Sequence, residues 1–299
     1  MAATADTAHP LARDSAAVQD GPGPRDEGRA GAKSAQALRQ RVLSALVLAP
    51  VGLAAAWFGP PLLSAVVAVA AGLMAWEWGR LCRAGAPILT GIVVIVVASV
   101  IAAALGIPRI GLVIAGLGSI AAAVASRDSG RAVLVGCGIL WIAVPSLALI
   151  WLALDPDPDI GRNTVLWLLA VVWATDIGAY AAGRSFGGPR LAPRLSPNKT
   201  WSGLIGGVLC AAAVGGSVAL FVNSTLVITI LLLSGILAVV AQIGDLAESM
   251  AKRHFGVKDT SGLIPGHGGL LDRLDGMLAV IPAVALLSLF GGGSVLTWR

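Results

Sequence analysis

The chain has 299 residues, of which 57% are hydrophobic and only 12% charged, with a mean hydropathy of +0.85 and a formal net charge of +5. Soluble domains carry roughly 25% charged residues, so this composition cannot coat a globule of such length with polar surface, and a water-soluble protein is excluded. The basic excess does not point to nucleic acid, because Lys and Arg fall mainly in an N-terminal tail and in short connections between apolar runs, where they set orientation in a membrane.

Residues 1–38 are rich in Ala, Gly, Pro, Asp and Arg and have no apolar period, which predicts a disordered cytoplasmic tail. Asp14, Asp20, Asp26 and Glu27 rule out a signal peptide there. Residues 39–299 read as one all-α transmembrane domain. Measured against the ~20 residues a spanning helix needs, nine apolar runs qualify: 42–59, 61–79, 88–106, 109–126, 132–154, 164–183, 201–222, 225–247 and 275–297. The breaks Gly59-Pro60-Pro61 and Gly106-Ile107-Pro108 are tight hairpins between neighbouring spans. With the N-terminus inside, segments 1–41, 80–87, 127–131, 184–200 and 248–274 face inward and hold 18 of the 21 Lys and Arg residues, leaving Arg109, Arg162 and Arg299 outside. Positive residues gather on the cytoplasmic side, so the N-terminus is expected in the cytoplasm and the C-terminus outside. Cys82, Cys137 and Cys210 lie singly in apolar stretches and read as small hydrophobes. With His9, His254 and His267 as the only histidines, a metal would have to be held by carboxylates.

In the first half, Glu77 is the only acid of the first three spans, and the local reading is an i,i+3 interfacial pair with Arg80, flanked by Trp76 and Trp78. The second half is richer. Asp176 interrupts an apolar run at a cost of about 2.5–3.5 kcal/mol on insertion scales, so it should face a cavity or a partner. Tyr180, the sole tyrosine, follows at i+4 on the same face. A purely structural pair of Asp176 with Tyr180 or Arg184 is the alternative. Loop 184–200 carries four cations, and Ser196, Asn198 and Thr200 offer N-cap oxygens to the helix that follows, so its first amides and Lys199 would form an anion site. Asp245, Glu248, Ser249 and Lys252 recur at i, i+3, i+4 and i+7, one helix face, and Asp272 and Asp275 share a face of the next helix. Between them, Gly262, Gly266, Gly268 and Gly269 allow close backbone approach to a ligand. Carboxylates suit Mg²⁺, Mg²⁺ bridges phosphates, and Lys/Arg neutralise the remainder. The segment therefore fits a hard-cation and polyphosphate site.

These residues also resemble a known signature. Ser249, Lys252-Arg253, Lys258-Asp259, Pro265, His267-Gly268-Gly269, Asp272-Arg273 and Asp275 are similar to the motif of the phosphatidate cytidylyltransferase (CDP-diacylglycerol synthase) family, and Asp176 to Tyr180, Gly183-Arg184 and Ser196-Pro197-Asn198-Lys199-Thr200 resemble its upstream motifs. Two departures stand out: Ala251 replaces a bulky apolar residue, and Ser202 stands where an acid is usual, so that acid's role is not carried over. The resemblance implies transfer of the cytidylyl group of CTP to phosphatidate, giving CDP-diacylglycerol and pyrophosphate for phospholipid biosynthesis. It implies Mg²⁺, with room for a second cation, held by Asp245 and Asp272. It makes Lys199, Lys252, Arg253, Lys258 and Arg273 phosphate contacts, and gives Asp259, His267 and Asp275 supporting or nucleotide roles. It makes Asp176, Tyr180, Arg184, Ser196, Asn198, Thr200, Ser249, Gly268 and Gly269 substrate-binding. CTP, phosphatidate and the bilayer are the implied partners, with a homodimer allowed, in the plasma membrane and with the active site facing the cytoplasm.

The chemistry fits independently. A lipid phosphate is already an anionic nucleophile, so the protein needs to position two polyanions and stabilise charge rather than supply a strong base. A secondary transporter with Asp176, Asp245 and Asp275 as a relay is the competing class, but the polar residues cluster on the inner half. A cytidylyltransferase or CTP-dependent kinase acting on another lipid phosphate stays open, because the motif does not read acyl chains.

Overall fold

The computed structural model describes residues 46–126, 129–264, 266 and 268–298. The tail 1–38 and the start of the first predicted span lie outside them, as do Pro265 and His267. Helix α1 is described over Leu46–Phe58. It is followed by α2 (Pro60–Leu81), α3 (Ala86–Ala104), α4 (Pro108–Ala125), α5 (Ser129–Ala153), α6 (Pro158–Phe186), strands β1 (Arg190–Ala192) and β2 (Ser196–Thr200), α7 (Trp201–Phe221), α8 (Val227–His254), α9 (Leu271–Phe290) and a 3₁₀ turn at Val295–Thr297. Among the described residues, eight helices are long and apolar enough to cross a membrane, with α1 shorter. The protein is an all-α polytopic membrane protein.

The helix ends follow local chemistry. Gly59 and Gly106 adopt φ of +83° and +80°, which ends one helix before Pro60 or Pro108 opens the next. α6 starts at Pro158, six residues before the predicted span, because Asp157 accepts from the Asp159 amide (3.0 Å) and Pro158 suits the first turn. The last span is corrected at both ends. It begins at Leu271 rather than residue 275, and stops at Phe290 because the chain turns at Gly291-Gly292-Gly293 and folds Trp298 against Gly291. Loop 184–200, predicted as a loop, contains the antiparallel hairpin β1–β2, with Arg190 opposite Thr200 and Ala192 opposite Ser196.

Two apolar cores form. Ile92, Val96, Val100, Ile139, Ile142 and Ile150 fill the one among α2–α5, while Trp167, Leu168, Ile230, Leu237 and Val280 fill the one among α6–α9. Outward faces carry exposed side chains such as Leu117, Ile120, Val124, Ile205 and Leu209, the expected pattern where lipid replaces water as solvent. α6 and α7 pack through glycines: a Cβ on Gly178 would lie 2.7 Å from the Gly206 carbonyl, and one on Gly203 2.9 Å from the Ala179 carbonyl. Cys82, just past α2, is buried, and burial pushes its thiol up to about 12 against the opposing charge of Arg131, so it behaves as an inert small hydrophobe.

Candidate active site

The close α6–α7 contact sets Asp176 and Tyr180 beside the start of α7. There Thr200 is the N-cap, its hydroxyl accepting from the Gly203 amide at 3.1 Å. Of the three candidate cap oxygens, this is the one used. Asp176, Tyr180, Asn198, Lys199, Thr200, Gln242 and Asp245 line a cleft of about 200 Å³. Lys199 Nζ lies 2.6 Å from Asp245 Oδ2, and Ser249 donates to Asp245 Oδ1 at 3.4 Å. Ser202, the residue that departs from the acid, bonds the Gly187 carbonyl and shares a 3.0 Å contact with Thr200, so here it ties the end of α6 to the start of α7.

One α8 face continues the site. Lys252 Nζ is 3.4 Å from Glu248 and 2.8 Å from Asp272 Oδ1. Asp272, in the first turn of α9, also accepts from the amides of Thr260 (3.0 Å) and Gly269 (2.8 Å) at Oδ2. Glu248, 2% exposed, lies against Asp272 and Asp275, and its oxygens make no well-formed hydrogen bond among the described residues. Asp275 accepts from the Gly276 amide at 2.8 Å. Gly268, at φ +87°, passes over this cluster; a Cβ there would stand 2.8 Å from Asp272 Oδ2 and 3.4 Å from Asp259 Cβ. Ile264 and Gly268 exchange backbone hydrogen bonds that close the loop tip.

The structure thus brings together Asp176, Tyr180, Asn198, Lys199, Thr200 and Asp245 in the cleft, and Ser249, Lys252, Asp259, Gly268, Gly269, Asp272 and Asp275 beside it. Other expected residues stand apart. Arg253 bridges the carbonyls of Leu195 (3.4 Å) and Val257 (3.3 Å), tying the hairpin to the end of α8. Arg184 donates to Tyr180 at 3.3 Å. Lys258 is exposed on the loop, and Ser196 starts β2. His267 lies outside the described residues. Arg273 lines an apolar groove of about 620 Å³, walled by residues such as Leu48, Val66, Val69, Trp173 and Met277, which shares Asp176 with the cleft.

Three contributors escaped the sequence reading. Gln242 lines the cleft and Thr260 holds Asp272. Glu77 is not an interfacial partner of Arg80, whose guanidinium sits 4.9 Å over the Trp76 ring. Instead Glu77 is fully buried and accepts from Ser261 (2.5 Å), Leu270 (2.9 Å) and Leu271 (2.8 Å). Its isolation as the only acid of three spans was the available signal.

Residues 39–290 match the family model described as the cytidylyltransferase family. A phosphatidate cytidylyltransferase of Brucella suis biovar 1 (strain 1330) is 40% identical over 266 residues, covering 85% of this chain and 93% of that protein. One from Haemophilus influenzae is 47% identical over 131 residues (42% and 46% of the two chains), and one from Staphylococcus haemolyticus 48% over 128 residues (42% and 49%).

Proposed function

The chain belongs to the cytidylyltransferase family, and from that premise we propose that it transfers the cytidylyl group of CTP to phosphatidate, giving CDP-diacylglycerol and pyrophosphate. The observation that carries this reading is the pair of lysine–carboxylate contacts, Lys199 with Asp245 and Lys252 with Asp272, set beside one cleft at the ends of α7, α8 and α9. A lipid phosphate oxygen attacks the α-phosphorus of CTP, a P–O bond forms there, and the bond to the β-phosphate breaks to release pyrophosphate. The residues have two tasks in this step: to hold two polyanions in line and to offset the charge that accumulates on the leaving group. Lys199, beside the α7 N-terminus where backbone amides favour anions, holds the triphosphate. Lys252, paired with Asp272, supplies positive charge beside the cleft. Arg273, which lines the apolar groove with Asp176, meets the lipid phosphate while the groove walls receive acyl chains.

Mg²⁺ fits these donors. It is bound through one or two carboxylates together with water and substrate phosphates, and among the described residues no group of three or more His, Cys, Asp or Glu is placed to hold it by protein ligands alone. Asp245 and Asp272 would hold it, and Gly268 leaves the Asp272 oxygen uncovered by a side chain. When bound, the ion would supply positive charge to offset that of the triphosphate. The charge distribution supports a site on the cytoplasmic face of the membrane, where CTP is available.

The test is detergent-purified protein with CTP, Mg²⁺ and a panel of lipid phosphates, the products being identified by mass. CDP-diacylglycerol and pyrophosphate in equal amounts are expected from phosphatidate. A phosphorylated lipid with release of CDP would assign the site to a kinase instead.

A further inference from the structure

We propose that Glu77 is a positioning residue that holds Asp272 in place through the loop before α9, an inference that rests on the metal-site reading of Asp272 given above. Glu77 sits near the end of α2, is 0% exposed, and has no ion-pair partner among the described residues. A carboxylate buried without a cation is unfavourable unless hydrogen bonds replace its water. Four donors do so here: Ser261 Oγ at 2.5 Å, Leu271 N at 2.8 Å, Leu270 N at 2.9 Å and Thr260 Oγ1 at 3.5 Å.

The donors explain the role. The N-cap of α9 is Leu270, whose side chain cannot accept from the free amides of the first turn. Glu77 supplies the missing cap from another helix, and its negative charge lies where the helix dipole favours it. Asp272 follows one residue after Leu271. Thr260 joins the two carboxylates, its hydroxyl on Glu77 and its amide on Asp272. Gly269 does the same by shape: its amide bonds Asp272, while a Cβ on it would stand 2.8 and 2.9 Å from the Glu77 oxygens. Glu77 therefore fixes both ends of the loop that aims Asp272, and does so without lining the cleft.

Glu77→Gln keeps the shape but turns an NH₂ group toward donors, and Ser261→Ala removes one donor at a half-buried loop position. The measurements are Mn²⁺ binding by electron paramagnetic resonance on the full-length detergent-purified protein, then kcat and the KM for CTP. In folded Glu77→Gln, Mn²⁺ affinity and kcat should each fall about tenfold, the size seen when a group behind a metal ligand is lost, with KM for CTP within about threefold of wild type. Ser261→Ala should show the same pattern at about two- to threefold. Wild-type Mn²⁺ affinity in folded Glu77→Gln overturns the proposal, as does Mn²⁺ binding that Asp272→Asn leaves unchanged. If Glu77→Gln cannot be recovered folded, Ser261→Ala decides, and unchanged Mn²⁺ affinity there overturns it. A wild-type protein that makes no CDP-diacylglycerol defeats the functional reading alone, since the Mn²⁺ arm does not depend on turnover.

Discussion

Asp272 receives the Lys252 ammonium and the amides of Thr260 and Gly269, so an asparagine in its place must turn its NH₂ toward at least one donor. Asp272→Asn is expected to reduce turnover to background and to lower stability by about 1–3 kcal/mol, the cost of a buried unsatisfied donor. Asp245 differs in setting. Its side chain is 31% exposed, but the Nζ of its main partner Lys199 is buried, so Asp245→Asn, which leaves that ammonium without its counter-charge, should lower stability by about 1–3 kcal/mol, while turnover is equally lost. Activity per folded molecule across a Mg²⁺ titration, with a thermal melt, checks both; near-wild-type specific activity in either variant removes that aspartate from the site. These two acids were legible because Asp245, Glu248, Ser249 and Lys252 fall at helical spacing and Asp272 and Asp275 repeat it. Glu77 was not, because its partners lie 183 to 194 residues away and local spacing offers only Arg80.

The cleft depends on how closely α6 and α7 approach. A Cβ on Gly206 would lie 2.8 Å from the Gly178 carbonyl and would overlap Ala182, and Gly203 and Gly207 make similar contacts with α6. Small residues at such crossings allow backbone approach where lipid gives no hydrophobic drive to association. Gly206→Val should therefore push α7 away, cost about 1–3 kcal/mol as overpacking does, and raise the KM for CTP by separating Asp176 from Lys199. A lowered melting midpoint with unchanged KM would show that the cleft tolerates the shift. Thr200→Ala, which removes the α7 cap, should cost about 1 kcal/mol with a smaller kinetic effect. The long helices were legible from apolar run length alone, to within a few residues at most ends. The hairpin was not: its strands have three and five residues, and Pro193 and Pro197 read as loop. Pairing with each other, and the Arg253 bridge to Leu195, hold it in place, and neither contact leaves a periodic trace.

For the whole molecule, the parity of crossings sets which side each terminus lies on. The eight long helices among the described residues would alone return the chain to the side from which it set out, and the described part of α1, Leu46–Phe58, is shorter than the ~20 residues of a perpendicular span. Charge favours one of the two counts. If α1 crosses, the six Lys and Arg of residues 1–41 join the inner side and the division is 18 against 3. If α1 does not cross, those six move outward, the division falls to 12 against 9, and little orientation signal is left. The same assignment puts loops 184–200 and 248–274, with Lys199, Lys252 and Arg273, on the face where CTP is found, and leaves the acidic Asp155-Pro156-Asp157-Pro158-Asp159 connection on the other. We therefore expect a reporter active only in the cytoplasm to function at residue 1, and one active only outside to function after Arg299 and within 155–157. Both termini reporting from one side would mean that α1 lies along the membrane surface rather than through it, and would move the tail, though not the cleft, to the opposite face.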